Sequence, residues 1–214
     1  MPAAPPRLVL ATANQHKLTE LTRILAASHV QVELVSLAEF AGAPEVAETG
    51  ATFAANALLK AHAIAAFTGL PAVADDSGLC ADALNGMPGV LSARWAGKHG
   101  DDAANLALLL AQLSDVPDER RGAQFVCAAA LALPSGREHV AEGMVRGRLI
   151  REALGSNGFG YDPIFVPDAT ALTMAGLPVA ELTTAQLSSL DKDAISHRGK
   201  ALRALAPVIA AVIG

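Results

Sequence analysis

The chain is poor in cysteine and in charge, and each shortage excludes a class of protein. Its 214 residues contain two cysteines, Cys80 and Cys127, which is too few for a disulfide-stabilised secreted domain and is typical of free thiols in a reducing compartment. Charged residues make up 17% and hydrophobic residues 52% of the chain, so a large core can form and global disorder is excluded. The formal net charge of −5 argues against a nucleic-acid-binding surface.

The chain also has no long hydrophobic run. The longest uncharged stretch, which includes Ala123 to Gly136, is shorter than the ~20 residues of a membrane-spanning helix. The apolar segment from Leu8 to Ala13 is too short for the core of a signal peptide. We therefore expect a cytoplasmic protein that binds neither membranes nor nucleic acids.

Two phosphate-binding motifs are missing. The chain has no G-x-x-x-x-G-K-[ST] pattern and no G-x-G-x-x-G pattern, so neither a P-loop nor a dinucleotide-binding fold is supported. The D-x-D pattern expected at a strand end in phosphatases with an aspartate nucleophile is absent as well.

A short apolar run, Leu70 to Ala74, is followed by Asp75, Asp76, Ser77 and a glycine. The run predicts a buried strand with two carboxylates at its carboxyl end, where open α/β sheets bind ligands. Adjacent carboxylates repel each other, so they need a cation or hydrogen-bond donors. Successive strand residues point to opposite faces, so we expect only one of the two aspartates to face the ligand. A solvated polar turn is the alternative interpretation.

The rest of the chain mixes strand and helix patterns, which predicts an α/β fold with a partly antiparallel sheet. Five arginines of the second half are interpreted as solvated surface residues: Arg120, Arg121, Arg146, Arg148 and Arg151. Strands are predicted over 7–11, 30–37, 70–74, 123–133 and 138–145. Helices are predicted over 52–67, 101–113 and 183–190. Two more helices are predicted, one that starts near residue 14 and one that follows residue 196.

Two lysines occupy positions that suit a phosphate. Lys17 stands in the first turn of the first predicted helix, where free N–H groups and the helix dipole favour an anion and disfavour a lysine. A phosphate between the helix and the ammonium group would resolve this conflict, although an exposed lysine on an ordinary capped helix is the alternative. Lys60 lies in an alanine-rich helix. The alternative to phosphate binding is that the aliphatic part of its side chain lies along an apolar surface while the ammonium group stays in water.

The segment from Gly155 to Pro163 places three glycines around two aromatic residues, Phe159 and Tyr161. Ordering several glycines is costly in conformational entropy. Loops that are nevertheless ordered often carry function, so this segment is a candidate site, with a merely mobile loop as the alternative.

Five blocks of the chain together resemble the inosine/xanthosine triphosphate pyrophosphatase family, and they occur in the family's order across almost the whole chain. They are Thr12–Lys17, Glu48–Phe53 with Asn56-Ala57 and Lys60-Ala61, Ala74–Leu79, Gly158–Pro163 and Ser196–Gly199. The resemblance implies a two-lobed α/β fold with a central mixed sheet flanked by helices and an active-site cleft between the lobes. Residues 1–214 would then form a single domain with two lobes, as a homodimer.

The resemblance also implies an activity. The protein would be a Mg²⁺-dependent nucleoside triphosphate pyrophosphatase that hydrolyses ITP, dITP and XTP to the monophosphate and pyrophosphate, which keeps deaminated purines out of DNA and RNA. Asp76 is implied as the catalytic base and, with Glu48, as a Mg²⁺ ligand. Substrate-binding roles are implied for Thr12, Ala13, Asn14, Gln15, His16, Lys17, Lys60, Ser77, Phe159, Gly160, Tyr161, Asp162, Lys192, His197 and Arg198.

Within that set the resemblance implies a division of labour. The turn at Asn14, with Lys17 and Lys60, would bind the triphosphate, and Phe159 would stack on the base. The edge of the base would be recognised by Asp162, Lys192, His197 and Arg198.

The chain departs from the family pattern at three alanines. Ala13 stands where the family usually has glycine, and Ala47 and Ala55 stand where it commonly has glutamate. Two other functions therefore stay open. The first is a nucleotide-binding sensor without catalytic activity, which is supported only by Ala47 and Ala55. The second is a phosphatase that uses Asp75 as its nucleophile.

Overall fold

The computed structural model describes residues 4–12, 15–179 and 181–213, and for Gln15 and His16 it describes the backbone alone. The strands in these ranges are β1 Arg7–Leu10, β2 Glu33–Ser36, β3 Ala72–Ala81, β4 Gly122–Ala132, β5 Glu138–Leu149 and β6 Phe165–Pro167. The α-helices are α1 Gln15–Ala27, α2 Phe53–Thr68, α3 Asp102–Gln112, α4 Ala169–Met174, α5 Ser189–Ile195 and α6 His197–Ile213. None of these helices combines the length and the hydropathy needed to cross a membrane.

The strands form one six-stranded sheet in the order β2-β1-β3-β4-β5-β6. β1 pairs in parallel with β2 and with β3, and in the latter pair Leu10 lies opposite Val73. β5 and β6 pair antiparallel, with Arg148 opposite Val166. The predicted α/β class with a mixed sheet is therefore confirmed.

The chain divides into two compact units, and the first comprises Met1–Asp76, Cys127–Gly143 and Arg198–Gly214. Its core packs Leu8 of β1 against α1 and α6. The helical spacing of Leu21 and Leu25 places both on the buried face of α1, as the sequence predicts. Pro207 lies inside α6, which nevertheless continues to Ile213.

The second unit comprises Ser77–Val126 and Met144–His197. Its core gathers Leu79 of β3, Leu109 of α3 and Phe165 of β6. Helix α3 begins as predicted, because the Asp101 side chain accepts a hydrogen bond from the Ala104 N–H group.

The predicted end of β3 is wrong, because the strand continues to Ala81 and so carries Asp75 and Asp76 in its middle. Gly78 therefore lies inside the strand. A Cβ atom at this position would overlap the Ser92 side chain and the Gly89 carbonyl oxygen. The glycine therefore marks a close approach of two chain segments and not a turn.

Two further expectations are wrong. Residues 183–190 do not form a helix, because α5 begins only at Ser189, and Ser188 caps it by accepting a hydrogen bond from the Asp191 N–H group. Arg121 is not a surface residue. It is 2% exposed, and its guanidinium group donates to the carbonyl oxygens of Leu113, Leu149 and Ile150.

Candidate functional site

Asp75 and Asp76 are neighbours on β3, but their side chains have different partners within the first unit. The Lys17 ammonium lies 2.9 Å from both carboxylate oxygens of Asp75, and Arg198 Nε lies 3.0 Å from Oδ2. Asp76 instead accepts hydrogen bonds from Asn56 and Lys60. The alternation of a β-strand produces this separation, as the sequence predicts.

The carboxylate of Asp75 is held between two cations. Its side chain is 5% exposed, and burial alone would raise its pKa, but Lys17 and Arg198 outweigh that effect and lower the pKa well below its ordinary range. The same pairing with Asp75 raises the pKa of Arg198, against the effect of its own burial. Asp75 is therefore a permanent anion that binds two cations.

The surroundings of Asp76 differ. Asn56 Nδ2 lies 3.0 Å from Asp76 Oδ2, and Lys60 Nζ lies 3.4 Å from Oδ1. The same ammonium group lies 2.7 Å from Glu48. Asn56 is fully buried, and its Oδ1 accepts a hydrogen bond from the Gly50 N–H group at 2.7 Å, which fixes the amide that faces Asp76.

The pKa values of this cluster suit proton transfer. Burial raises the pKa of Asp76 and the charge of Glu48 adds to it, and these effects exceed the opposing ones of Lys60 and Asn56. Burial alone would lower the pKa of Lys60, but Asp76 and Glu48 raise it above its ordinary value. A carboxylate with a raised pKa beside a firmly charged lysine is a candidate general base.

The same cluster has the donor chemistry of a magnesium site. In the part of the chain that the structure describes, no three histidine, cysteine, aspartate or glutamate residues group closely enough to hold a metal ion. Glu48 and Asp76 nevertheless place two carboxylates around one cationic group, Lys60. Mg²⁺ is commonly held by one or two carboxylates together with substrate phosphates and water, so the two residues fit that mode of binding.

In the second unit, Asp162 organises the glycine-aromatic loop. Its Oδ2 accepts hydrogen bonds from the Phe159 N–H group at 2.8 Å and from Lys192 Nζ at 2.5 Å, and its Oδ1 accepts one from the Thr184 hydroxyl at 2.8 Å. Lys192 Nζ lies 5.2 Å from the centroid of the Phe159 ring. Because Phe159 is 66% exposed, the loop presents an aromatic face beside an ammonium group.

The remaining predicted residues of the second unit have other partners. The Gly160 N–H group donates to Asp102. Tyr161 is buried in the core, where its hydroxyl donates to the Ser92 carbonyl oxygen, so its substrate contact stays a prediction. His197 stacks on Phe125 with the ring centroids 5.0 Å apart.

Several predicted residues are described only in part or lie elsewhere than expected. Ala13 and Asn14 lie outside the described residues, and the side chains of Gln15 and His16 are not described. Arg198 was expected with the residues that recognise the base, whereas the structure places it beside Asp75 and Lys17. Thr12 lies two residues beyond the end of β1 at Leu10, and Ser77 follows Asp76 on β3.

Sequence reasoning missed Asn56 and Thr184 as parts of the site. Asn56 had a usable signal, because it is a polar residue on the alanine-rich helix α2, four positions before Lys60 and so on the same face. Thr184 had none, since its partner Asp162 is distant in sequence and the segment that carries it was predicted as a helix.

Comparison with known proteins shows which family the chain belongs to. The model of the Ham1 family matches residues 8–208. A dITP/XTP pyrophosphatase of Streptomyces coelicolor is 57% identical over 208 residues, which cover 97% of this chain and 99% of that protein.

Solved structures agree as well. A nucleoside-triphosphatase / dITP/XTP pyrophosphatase from Mycobacterium abscessus has a TM-score of 0.78 and 56% identity, over 95% of this chain and 99% of that one. A HAM1 protein from Coxiella burnetii has a TM-score of 0.83 and 40% identity, over 95% of this chain and 98% of that one. These matches confirm the resemblance carried by the five sequence blocks, and the chain belongs to the Ham1 family.

Proposed function

We propose that this protein hydrolyses deaminated purine nucleoside triphosphates (ITP, dITP and XTP) to the monophosphate and pyrophosphate. The observation that carries the proposal is the 57% identity, over 97% of the chain, to a protein named dITP/XTP pyrophosphatase. The pairing of Asp76 with Asn56 and Lys60 supports it, because hydrolysis requires a base beside cationic groups.

In the proposed reaction Asp76 is the general base. A water oxygen forms a bond to phosphorus, Asp76 accepts the proton of that water, and the bond between the α- and β-phosphate groups breaks. Asn56 orients the carboxylate through its hydrogen bond to Oδ2. Lys60, Lys17 and Arg198 bind the phosphate oxygens, and Ser77 helps to position them.

Glu48 and Asp76 would hold Mg²⁺, together with the phosphate groups of the substrate. When bound, the ion neutralises charge on the phosphate oxygens as the phosphoanhydride bond breaks. Lys60, which contacts both carboxylates, keeps them close together before the substrate arrives.

The base is recognised by groups of the second unit. Phe159 stacks on the base, and Lys192 donates to the keto oxygen at position 6 of hypoxanthine or xanthine. Adenine carries an amino group at that position, so two donors would face each other and remain unpaired. Asp162 and His197 complete the proposed recognition of the edge of the base.

The setting of the reaction belongs to the same proposal. We place it in the cytoplasm, in a homodimer whose protomer acts as one domain with two lobes over residues 1–214. There the enzyme removes deaminated purine triphosphates from the nucleotide pool before polymerases incorporate them.

Product analysis separates this proposal from its two alternatives. With ITP and Mg²⁺, the pyrophosphatase yields the monophosphate and pyrophosphate, a phosphatase yields the diphosphate and phosphate, and a binding sensor yields no product. Asp76→Asn is the inactive control. Release of phosphate, or no turnover with ITP, dITP and XTP, contradicts the proposal. The pairing of the buried Asp75 carboxylate with two cations, Lys17 and Arg198, disfavours Asp75 as a nucleophile.

A further inference from the structure

We propose that Thr184 is a positioning residue for base recognition, and that its hydroxyl acts by orienting the carboxylate of Asp162. The inference rests on the proposed function, because it concerns how the base-recognising groups of the second unit are held in place.

Thr184 is in direct contact with Asp162 from a buried position. It is 4% exposed, and its hydroxyl lies 2.8 Å from Asp162 Oδ1 and 3.1 Å from the Asp162 carbonyl oxygen. A hydroxyl group has one proton to donate. The shorter contact, to a charged oxygen, is the stronger hydrogen bond.

Asp162 is an anchor, because both of its carboxylate oxygens already accept hydrogen bonds from the protein. Oδ2 accepts hydrogen bonds from the Phe159 N–H group and from the Lys192 ammonium group. Oδ1 accepts a hydrogen bond from the Thr184 hydroxyl group. A carboxylate is planar and rigid, so a hydrogen bond that fixes Oδ1 also fixes the position of Oδ2. Thr184 therefore helps to set the positions of Phe159 and Lys192.

At Gly158 the loop backbone lies closely against Asp162 and Lys192. A Cβ atom at Gly158 would overlap both Asp162 Oδ2 and Lys192 Nζ, and Gly158 has a φ of +80°. The segment around Thr184 also holds the loop through its backbone, since the Asn157 N–H group donates to the Ala185 carbonyl oxygen at 3.0 Å. A rotation of the Asp162 carboxylate would consequently displace the loop backbone or the ammonium group.

The experiment compares Thr184→Val with Thr183→Val. Both substitutions keep the shape and remove one buried hydroxyl, but the Thr183 hydroxyl donates to the Leu154 carbonyl oxygen at 2.7 Å and does not contact Asp162. Steady-state pyrophosphate release from ITP and from ATP gives KM and kcat for each variant. Thermal unfolding gives the stability of each variant.

We expect Thr184→Val to raise KM for ITP roughly tenfold, the effect of losing one hydrogen bond to a charged group. Its kcat should stay within about twofold, because weakened binding of the base affects the ground and transition states alike. The preference for ITP over ATP should fall as well. Thr184→Ser retains the hydroxyl and should restore KM, and Thr183→Val should lose stability without any change in base preference.

Equal KM values and base preferences in Thr184→Val and Thr183→Val would overturn the inference, as would a Thr184→Ser variant as impaired as Thr184→Val. If Thr184→Val does not fold, Thr184→Ala and Thr183→Ala replace the pair, with the same expected results. The proposed function fails separately, if the unmodified protein releases no pyrophosphate from ITP.

Discussion

Asp75 and Asp76 are consecutive residues of one strand, yet the Lys17 ammonium lies 2.9 Å from the first carboxylate and the Asn56 amide 3.0 Å from the second. Of these two aspartates, Asp76 is the one whose pKa is raised and whose carboxylate contacts Lys60. Lys60 also contacts Glu48. We expect Asp76→Asn to lower kcat by about 10²- to 10⁴-fold, the usual effect of removing a positioned base.

Asp75→Asn should have a smaller effect on kcat, because Asp75 pairs with two cations and the proposed mechanism assigns the activation of water to Asp76. Its effect should fall on KM and on thermal stability, since Lys17 and Arg198 lose their shared counter-ion. Steady-state kinetics and thermal unfolding of both variants test this difference. Equal and small losses of kcat in the two variants would contradict the assignment of Asp76 as the base.

Lys17 and Lys60 should contribute chiefly to binding of the triphosphate. Each contacts a carboxylate of β3, and we expect Lys17→Ala and Lys60→Ala to raise KM for ITP strongly while circular dichroism shows an unchanged fold. Lys98 is exposed, so Lys98→Ala is the matched control and should behave as the unmodified protein. Unchanged KM and kcat in both test variants would make these lysines ordinary structural residues.

Phe159 should contribute to all bases alike, because stacking on an aromatic ring depends little on which base is stacked. Phe159→Ala is expected to weaken binding of ITP, XTP and ATP by a similar ~1–3 kcal/mol. Phe67 of α2 is also exposed, at 45%, and Phe67→Ala serves as the control. A loss confined to one base in a competition assay would show that Phe159 selects between bases.

Arg121 should matter for stability and not for turnover. Replacing it by methionine removes a donor from the carbonyl oxygens of Leu149 and Ile150, whereas the Leu113 oxygen keeps its hydrogen bond from the Val116 N–H group. Each buried group left unsatisfied costs about 1–3 kcal/mol. Urea unfolding should therefore show a clear loss, whereas Arg120→Met at the exposed neighbouring position should show little. Equal unfolding midpoints of the two variants would contradict the structural role of Arg121.

Local patterns predicted the parts of the fold that depend on local physics. Helices were predicted over 52–67 and 101–113, and in the structure α2 begins after the Thr52 cap and α3 after the Asp101 cap. Strand alternation separates Asp75 from Asp76, as predicted. Each of these features follows from the periodicity or the hydrogen bonding of neighbouring residues.

Features that depend on distant partners could not be predicted in this way. The length of β3 depends on how closely Ser92 approaches Gly78, and the burial of Arg121 depends on carbonyl groups up to 29 positions away. The segment from Thr183 to Leu187 has the composition of a helix, but the hydroxyl groups of its two threonines donate to distant partners, Leu154 and Asp162. No local pattern carries that information.

The most direct test of the proposed function is kcat/KM for pyrophosphate release from a panel of nucleoside triphosphates with Mg²⁺. A site that donates to the keto oxygen at position 6 leaves adenine with unpaired donors, and such sites discriminate by up to ~10⁴–10⁵. We predict ITP, dITP and XTP at least ~10²-fold ahead of ATP, with GTP intermediate or low because its amino group at position 2 must be accommodated. ATP or a pyrimidine triphosphate as the best substrate would contradict the proposed recognition of deaminated purines.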